Sequence, residues 1–188
     1  MSSRVEERIE EYGPASRSYT AIDFAYLAVV GVVSAVIFWA AWYVYDYGKA
    51  LGGPIGARLL SYGLWFIGAP LGASLLRKPY SAFLGETLGA LIETFLPTAG
   101  GFTNLEYGIA QGFLSELVYA AFRYKRWDPV VAGLAGAAAA PAAVALDAIL
   151  FQEIFSPGLM IVLVVAAAVS GFIYGYIAAK AVEAVRPY

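Results

Sequence analysis

Six apolar stretches separated by short polar breaks account for most of the chain. They run over about 22–45, 55–76, 80–96, 105–122, 130–151 and 158–182. The breaks at 46–54, 77–79, 97–104, 123–129 and 152–157 collect glycine, proline and charge, as loops do. A helix needs about 20 apolar residues to cross a bilayer, with a range of about 17–25. Segment 80–96 is the shortest and carries Glu86 and Glu93. Turn signals on both sides and the need for an even number of crossings mark it as a crossing nonetheless. No alternating strand pattern of about ten residues occurs, so helices rather than a barrel must satisfy the backbone in lipid. The pattern predicts an all-α integral membrane protein of six transmembrane helices, with residues 1–20 a cytoplasmic tail and 21–188 a single six-helix membrane domain. A secretory signal does not fit, because acidic residues precede an apolar run that is too long for one.

Lysine and arginine orient this arrangement. With both termini inside, Arg4, Arg8, Arg17, Arg77, Lys78, Arg123, Lys125, Arg126, Lys180 and Arg186 fall on the cytoplasmic side, leaving Lys49 and Arg58 outside. Tyr43, Tyr45 and Tyr47 then lie near the outer interface, and Tyr124 and Trp127 near the inner one, as aromatic belts do. No internal repeat is evident, which counts modestly against a self-sufficient secondary transporter.

Composition narrows the function. Of 188 residues, 61% are hydrophobic and only 14% charged, against about 25% charged in soluble domains. Six crossings leave no room for an extramembrane enzyme domain. A net charge of −2 offers no basic surface for nucleic acid. The chain has no cysteine and no histidine, which removes disulfides, iron–sulfur clusters, histidine-held metals and a Ser-His-Asp triad. No phosphate-loop string is present, so the chain alone is not an ATPase of that class. No cofactor is expected, and the protein is not read as an enzyme.

Ionisable groups inside the apolar segments are the candidates for function, since each costs about 2.5–3.5 kcal/mol to insert. From the helical rise, Glu93 lies about 22 Å and Gln111 about 18 Å from the cytoplasmic face, while Glu86 and Glu116 share a level about 10–12 Å in. Glu86 and Glu93 are seven apart and share a face. Gln111 and Glu116, five apart, diverge by about 140° on an ideal helix, which favours Glu93 and Gln111 as ligand contacts over Glu116. Glu86 and Glu116 are alternatively placed to meet and share a proton. Arg58, Tyr62 and Trp65 fall at i, i+4 and i+7, where the rings stack on a planar ligand or form an outer belt above a snorkelling arginine. Asp147 pairs with Arg58 or sits near the headgroups. Asn104 and Tyr107 open the fourth helix, where capping is the plain role for Asn104. The outer half holds Glu93, Glu106 and Asp147 against Arg58 alone. This balance favours a cationic or donor-rich aromatic ligand over an anion, and disfavours a transition metal.

The strings WFIGAPLGASLLRK (residues 65–78), GETLGALIE (85–93) and YGIAQGFLSELVYAAFRYKRW (107–127) resemble the substrate-binding S components of energy-coupling factor (ECF) transporters, specifically the YkoE-like family. The resemblance implies a six-helix S-component bundle in the plasma membrane that binds thiamin or its hydroxymethylpyrimidine precursor. Its partners would be a membrane coupling subunit (T component) and cytoplasmic ATPases. The polar residues matching the family pattern are Glu86, Glu93, Gln111 and Glu116, with Tyr62 and Trp65 as the aromatic partners suggested by their spacing. S components dock through small residues on the first helix, which here points to the stripe Ala21, Ala25 and Ala28. Ala35 extends that stripe, and Gly31 pairs with Ala35 on a neighbouring face. Packing within the bundle is the competing role for the stripe. The rival function is a self-contained proton-coupled carrier with Glu86 and Glu116 as its relay.

Overall fold

Thr20 and Asp23 start the first helix reciprocally. The Thr20 hydroxyl accepts the Asp23 N–H, and the Asp23 carboxylate accepts the Thr20 N–H at 2.7 Å. The computed structural model describes residues 18–185. Most of the expected cytoplasmic tail, with Arg4, Arg8 and Arg17, lies outside the described residues, as does Arg186.

Among the described residues every regular element is an α-helix. They are α1 (Ala21–Trp65), α2 (Gly68–Leu76), α3 (Ser81–Glu93), α4 (Thr103–Ala121), α5 (Pro129–Ala138), α6 (Ala140–Leu150) and α7 (Pro157–Val185). Three apolar stretches, Ala21–Leu76, Pro129–Leu150 and Pro157–Val185, are long and apolar enough to cross a membrane.

The first predicted helix and the first half of the second form one 45-residue element, α1, folded back on itself. The fold occurs at Gly52 (φ −141°, ψ 21°) and Gly53 (φ 58°, ψ −147°). Gly53 adopts a backbone region that is essentially closed to residues with a Cβ. Pro54 then opens the second arm, where its missing N–H costs nothing. The arms return close together, and a Cβ on Gly48 would sit 2.7 Å from the Gly56 carbonyl oxygen. The expected loop over 46–54 is therefore mostly helix, and the reversal is confined to two glycines.

The second arm runs on into α2 after a break at Phe66–Ile67. Arg77 (φ 53°) and Tyr80 (φ 70°) in left-handed conformation turn the chain into α3. Glycines let these helices touch backbone to backbone: a Cβ on Gly85 would collide with the Gly68 carbonyl oxygen, and one on Gly72 with that of Ser81. The expected helix over 130–151 is two pieces, α5 and α6, joined at Ala139 just before Pro141. α3 has 13 residues, about 20 Å of helix. It packs between α1, α2 and α4 rather than facing the surroundings on all sides.

The small residues of α1 divide by face. Ala21, Ala25 and Ala28 are exposed, whereas Leu27, Val30, Gly31, Ser34 and Ala35 are buried. Gly31 packs on α3, where a Cβ would lie 3.1 Å from Ile92 and 3.2 Å from Leu88. Ala35 thus belongs to the bundle interior and not to the outward stripe.

Candidate functional site

Both arms of α1, together with α3, α4, α6 and the loop after α6, surround a cavity of about 220 Å³. One wall is aromatic. Trp42 and Tyr45 come from the first arm, and Tyr62, Trp65 and Phe66 from the second arm and its end. The fold at Gly52–Gly53 sets the two arms side by side, so residues 23 apart in sequence become neighbours: the Trp42 and Trp65 rings lie 5.1 Å apart, edge to face. Tyr62 stands 5.7 Å from Trp65, and Tyr45 stacks 6.4 Å from Tyr62 at an interplanar angle of 23°. Trp65 Nε1 donates to the Phe38 carbonyl at 3.0 Å, which fixes the indole plane.

The other walls carry carboxyl groups. Glu93, at the end of α3, is 3% exposed and accepts a hydrogen bond from Trp42 Nε1 at 3.0 Å. Glu86, two turns earlier on the same face, is fully buried. Its Oε2 accepts the Ala69 N–H near the start of α2 at 2.8 Å, while Oε1 has no hydrogen-bond partner. Gln111 of α4 is also buried and lines the cavity. Buried polar atoms are normally paired, so the free oxygen of Glu86 marks where a donor would be accepted.

Asp147 of α6 gathers a second cluster. Oδ2 accepts from Arg58 Nη2 at 2.9 Å and from the Tyr62 hydroxyl at 2.5 Å, and Oδ1 accepts from the Tyr107 hydroxyl at 2.8 Å. Arg58 Nη2 also donates to Glu153 Oε2 at 2.5 Å, Nη1 donates to the Pro54 carbonyl, and Glu153 Oε1 accepts from the Tyr45 hydroxyl at 3.3 Å. The guanidinium lies 5.2 Å from the Tyr62 ring centroid. A buried ion pair survives only when its remaining hydrogen-bonding capacity is met; here three tyrosines and two carboxylates meet most of it.

Tyr62, Trp65, Glu86, Glu93 and Gln111 line this one cavity; Glu116 does not. Its carboxylate accepts the N–H groups of Tyr80 (2.7 Å), Ala82 (3.1 Å) and Phe83 (3.1 Å), where α3 begins. It stands in for the side-chain cap that Tyr80 cannot supply, and a carboxylate is favoured at that end of a helix. Glu86 and Glu116 therefore do not meet, because Glu86 turns to α2 and Glu116 to the α3 start. Asn104 lies one residue inside α4 and donates to Thr98 Oγ1 at 3.0 Å rather than capping the helix. Of the two positions open to Asp147, the structure shows the pairing with Arg58.

Residues 22–142, more than half of the chain, match the family described as ABC-type cobalt transport system, permease component. The chain belongs to this family. Among its relatives is a protein of Bacillus subtilis (strain 168) named as an HMP/thiamine permease, YkoE. It is 29% identical over 168 residues, covering 89% of this chain and 84% of that one. The crystal structure of an S component of an ECF transporter superposes with a TM-score of 0.80 at 28% identity, covering 89% of this chain and 85% of that one. The protein is accordingly an S-component-type permease of the plasma membrane, a transport protein rather than an enzyme.

The S-component cavity also draws on residues that sequence reasoning passed over. Phe38 and Trp42 carried no signal beyond hydrophobicity, Tyr45 read as a belt residue, and Glu153 fell in a loop. Only the fold at Gly52–Gly53 could have pointed to Trp42 and Tyr45, since it sets them opposite Trp65 and Tyr62.

Proposed function

We propose that this S component captures hydroxymethylpyrimidine or thiamin at the outer face of the membrane and delivers it to a T component driven by two cytoplasmic ATPases. The observation that carries the reading is an aromatic cavity lined by four carboxyl groups (Glu86, Glu93, Asp147 and Glu153) with no lysine or arginine among its lining residues. A flat aminopyrimidine suits such a wall, because its faces stack and its amine donates to a carboxylate. The thiazolium of thiamin adds a fixed positive charge. The name of the Bacillus subtilis relative points to the same ligand class. Cobalt, which the family description names, finds less support: among the described residues no three His, Cys, Asp or Glu side chains group to hold a metal ion.

In this reading Tyr62 and Trp65 stack on the ligand, Glu93 and Gln111 bind its polar edge, and Glu86 accepts from its deeper end. Glu116 serves the scaffold. The chain crosses six times with both termini inside: the two arms of α1, the second continuing into α2, then α3, α4, the α5–α6 pair and α7. Ala21, Ala25 and Ala28 form the docking stripe for the T component. A proton-coupled carrier built on Glu86 and Glu116 is not favoured, because the two carboxyls do not adjoin.

Calorimetry on the purified chain with hydroxymethylpyrimidine, thiamin and biotin tests the proposal. Saturable binding of one or both of the first two, and none of the anionic biotin, is expected. Equal or tighter binding of biotin would overturn it. The absence of native cysteine makes topology testable in the same protein: a single cysteine at Gln152 should label from outside intact cells, and one at Arg123 only after permeabilisation.

A further inference from the structure

The anion-binding devices around the cavity are already engaged by the chain itself. Arg58 is 1% exposed, and its Nη2 is shared between Asp147 and Glu153. Near the start of α2, the Ala69 N–H is taken by Glu86. Where α4 begins, beside the cavity, the N–H groups of Thr103, Asn104 and Leu105 are turned onto the carbonyls of Gly100, Gly101 and Phe102. A further base, Lys49, is exposed, does not line the cavity, and holds its Nζ 5.6 Å from the Tyr45 ring centroid. Proteins bind phosphate with arginine forks, lysines or free helix N-termini; no arginine or lysine lines this cavity, and the N–H groups named beside it are taken.

We infer that Glu153 is a specificity-determining residue: by holding Arg58 jointly with Asp147, it withholds the arginine that lies behind the cavity wall, so that the site accepts the free alcohol of its ligand and refuses the phosphate ester. This rests on the proposed function and adds the chemical state of the ligand. Glu153 is suited to the role because it comes from the loop after α6, lines the cavity, and is held to α1 by Arg58 and Tyr45. A phosphate group in its place would need the same guanidinium, which Asp147 already holds at 2.9 Å. Where the ligand occurs outside the cell as a phosphomonoester, hydrolysis of that ester to the free alcohol and orthophosphate must precede uptake.

The test is calorimetry on the full chain with hydroxymethylpyrimidine, its monophosphate, thiamin and thiamin monophosphate. For the wild type each ester should bind at least about 30-fold more weakly than its alcohol. Glu153→Ala, which frees Arg58 Nη2 on one side, should narrow that ratio about tenfold, and Glu153→Gln by a smaller factor in the same direction. Glu106→Gln removes the same formal charge from an exposed position on α4 and should leave the ratio alone. A wild-type ratio near one overturns the inference. So does an unchanged ratio in the Glu153 variants, or an equal shift in Glu106→Gln. If Glu153→Ala fails to fold, Glu153→Gln decides. Failure of both free alcohols to bind overturns the proposed function, and the inference with it.

Discussion

A carboxylate 3.0 Å from an indole N–H, in a cavity with no lysine or arginine in its lining, holds an acceptor toward whatever enters. Glu93→Gln preserves the shape and removes the charge. Losing a charge-assisted hydrogen bond to the ligand should cost about 1.5–3 kcal/mol, or roughly 10- to 150-fold in affinity by calorimetry. Glu116 makes three bonds of the same kind, but to the backbone at the start of α3. Glu116→Gln should lower stability by about 1–2 kcal/mol in a detergent melt and change affinity by no more than about threefold. The reverse order would mean that Glu116 reaches the ligand. Glu93 was legible in the sequence because depth and the helical repeat both follow from residue spacing. Glu116 was legible only as diverging from Gln111. The groups it caps start a helix 36 residues away, a relation that no local pattern encodes.

At the scale of elements, the apolar segments were readable because lipid imposes a minimum length on them. Their ends were less so. The polar run from Asp46 to Lys49 reads as a loop, yet it is helical, because side chains at a membrane surface are hydrated while the backbone keeps its own hydrogen bonds. What breaks α1 is a backbone conformation. Gly53→Ala forces a Cβ into φ 58°, ψ −147° and should cost about 1–3 kcal/mol. Gly52, at negative φ with no atom within 4 Å of the place a Cβ would take, is the control, and Gly52→Ala should cost less than about 1 kcal/mol. Thermal melts of the two variants check the contrast. Equal losses would show that the positive φ of Gly53 does not govern the turn.

The molecule as a whole keeps the cavity and the small-residue stripe apart. The cavity lies among α1, α3, α4 and α6, whereas Ala21, Ala25 and Ala28 look outward near the start of α1. Ala25→Trp should leave the ligand isotherm unchanged and abolish co-purification with the T component, because a bulky ring prevents close helix approach. Lost ligand binding in the isolated variant would assign the stripe to internal packing instead. The close pairing of Trp42 with Trp65 has an optical consequence. The chain has four tryptophans, and these two share the cavity wall. Their emission should report on occupancy: an aromatic ligand packing against the pair should quench part of the intrinsic fluorescence in a saturable way. Trp39 and Trp127, which do not line the cavity, supply a constant background. Trp42→Phe should then diminish the signal change more than it diminishes the total emission, giving the protein a label-free binding assay from its own side chains.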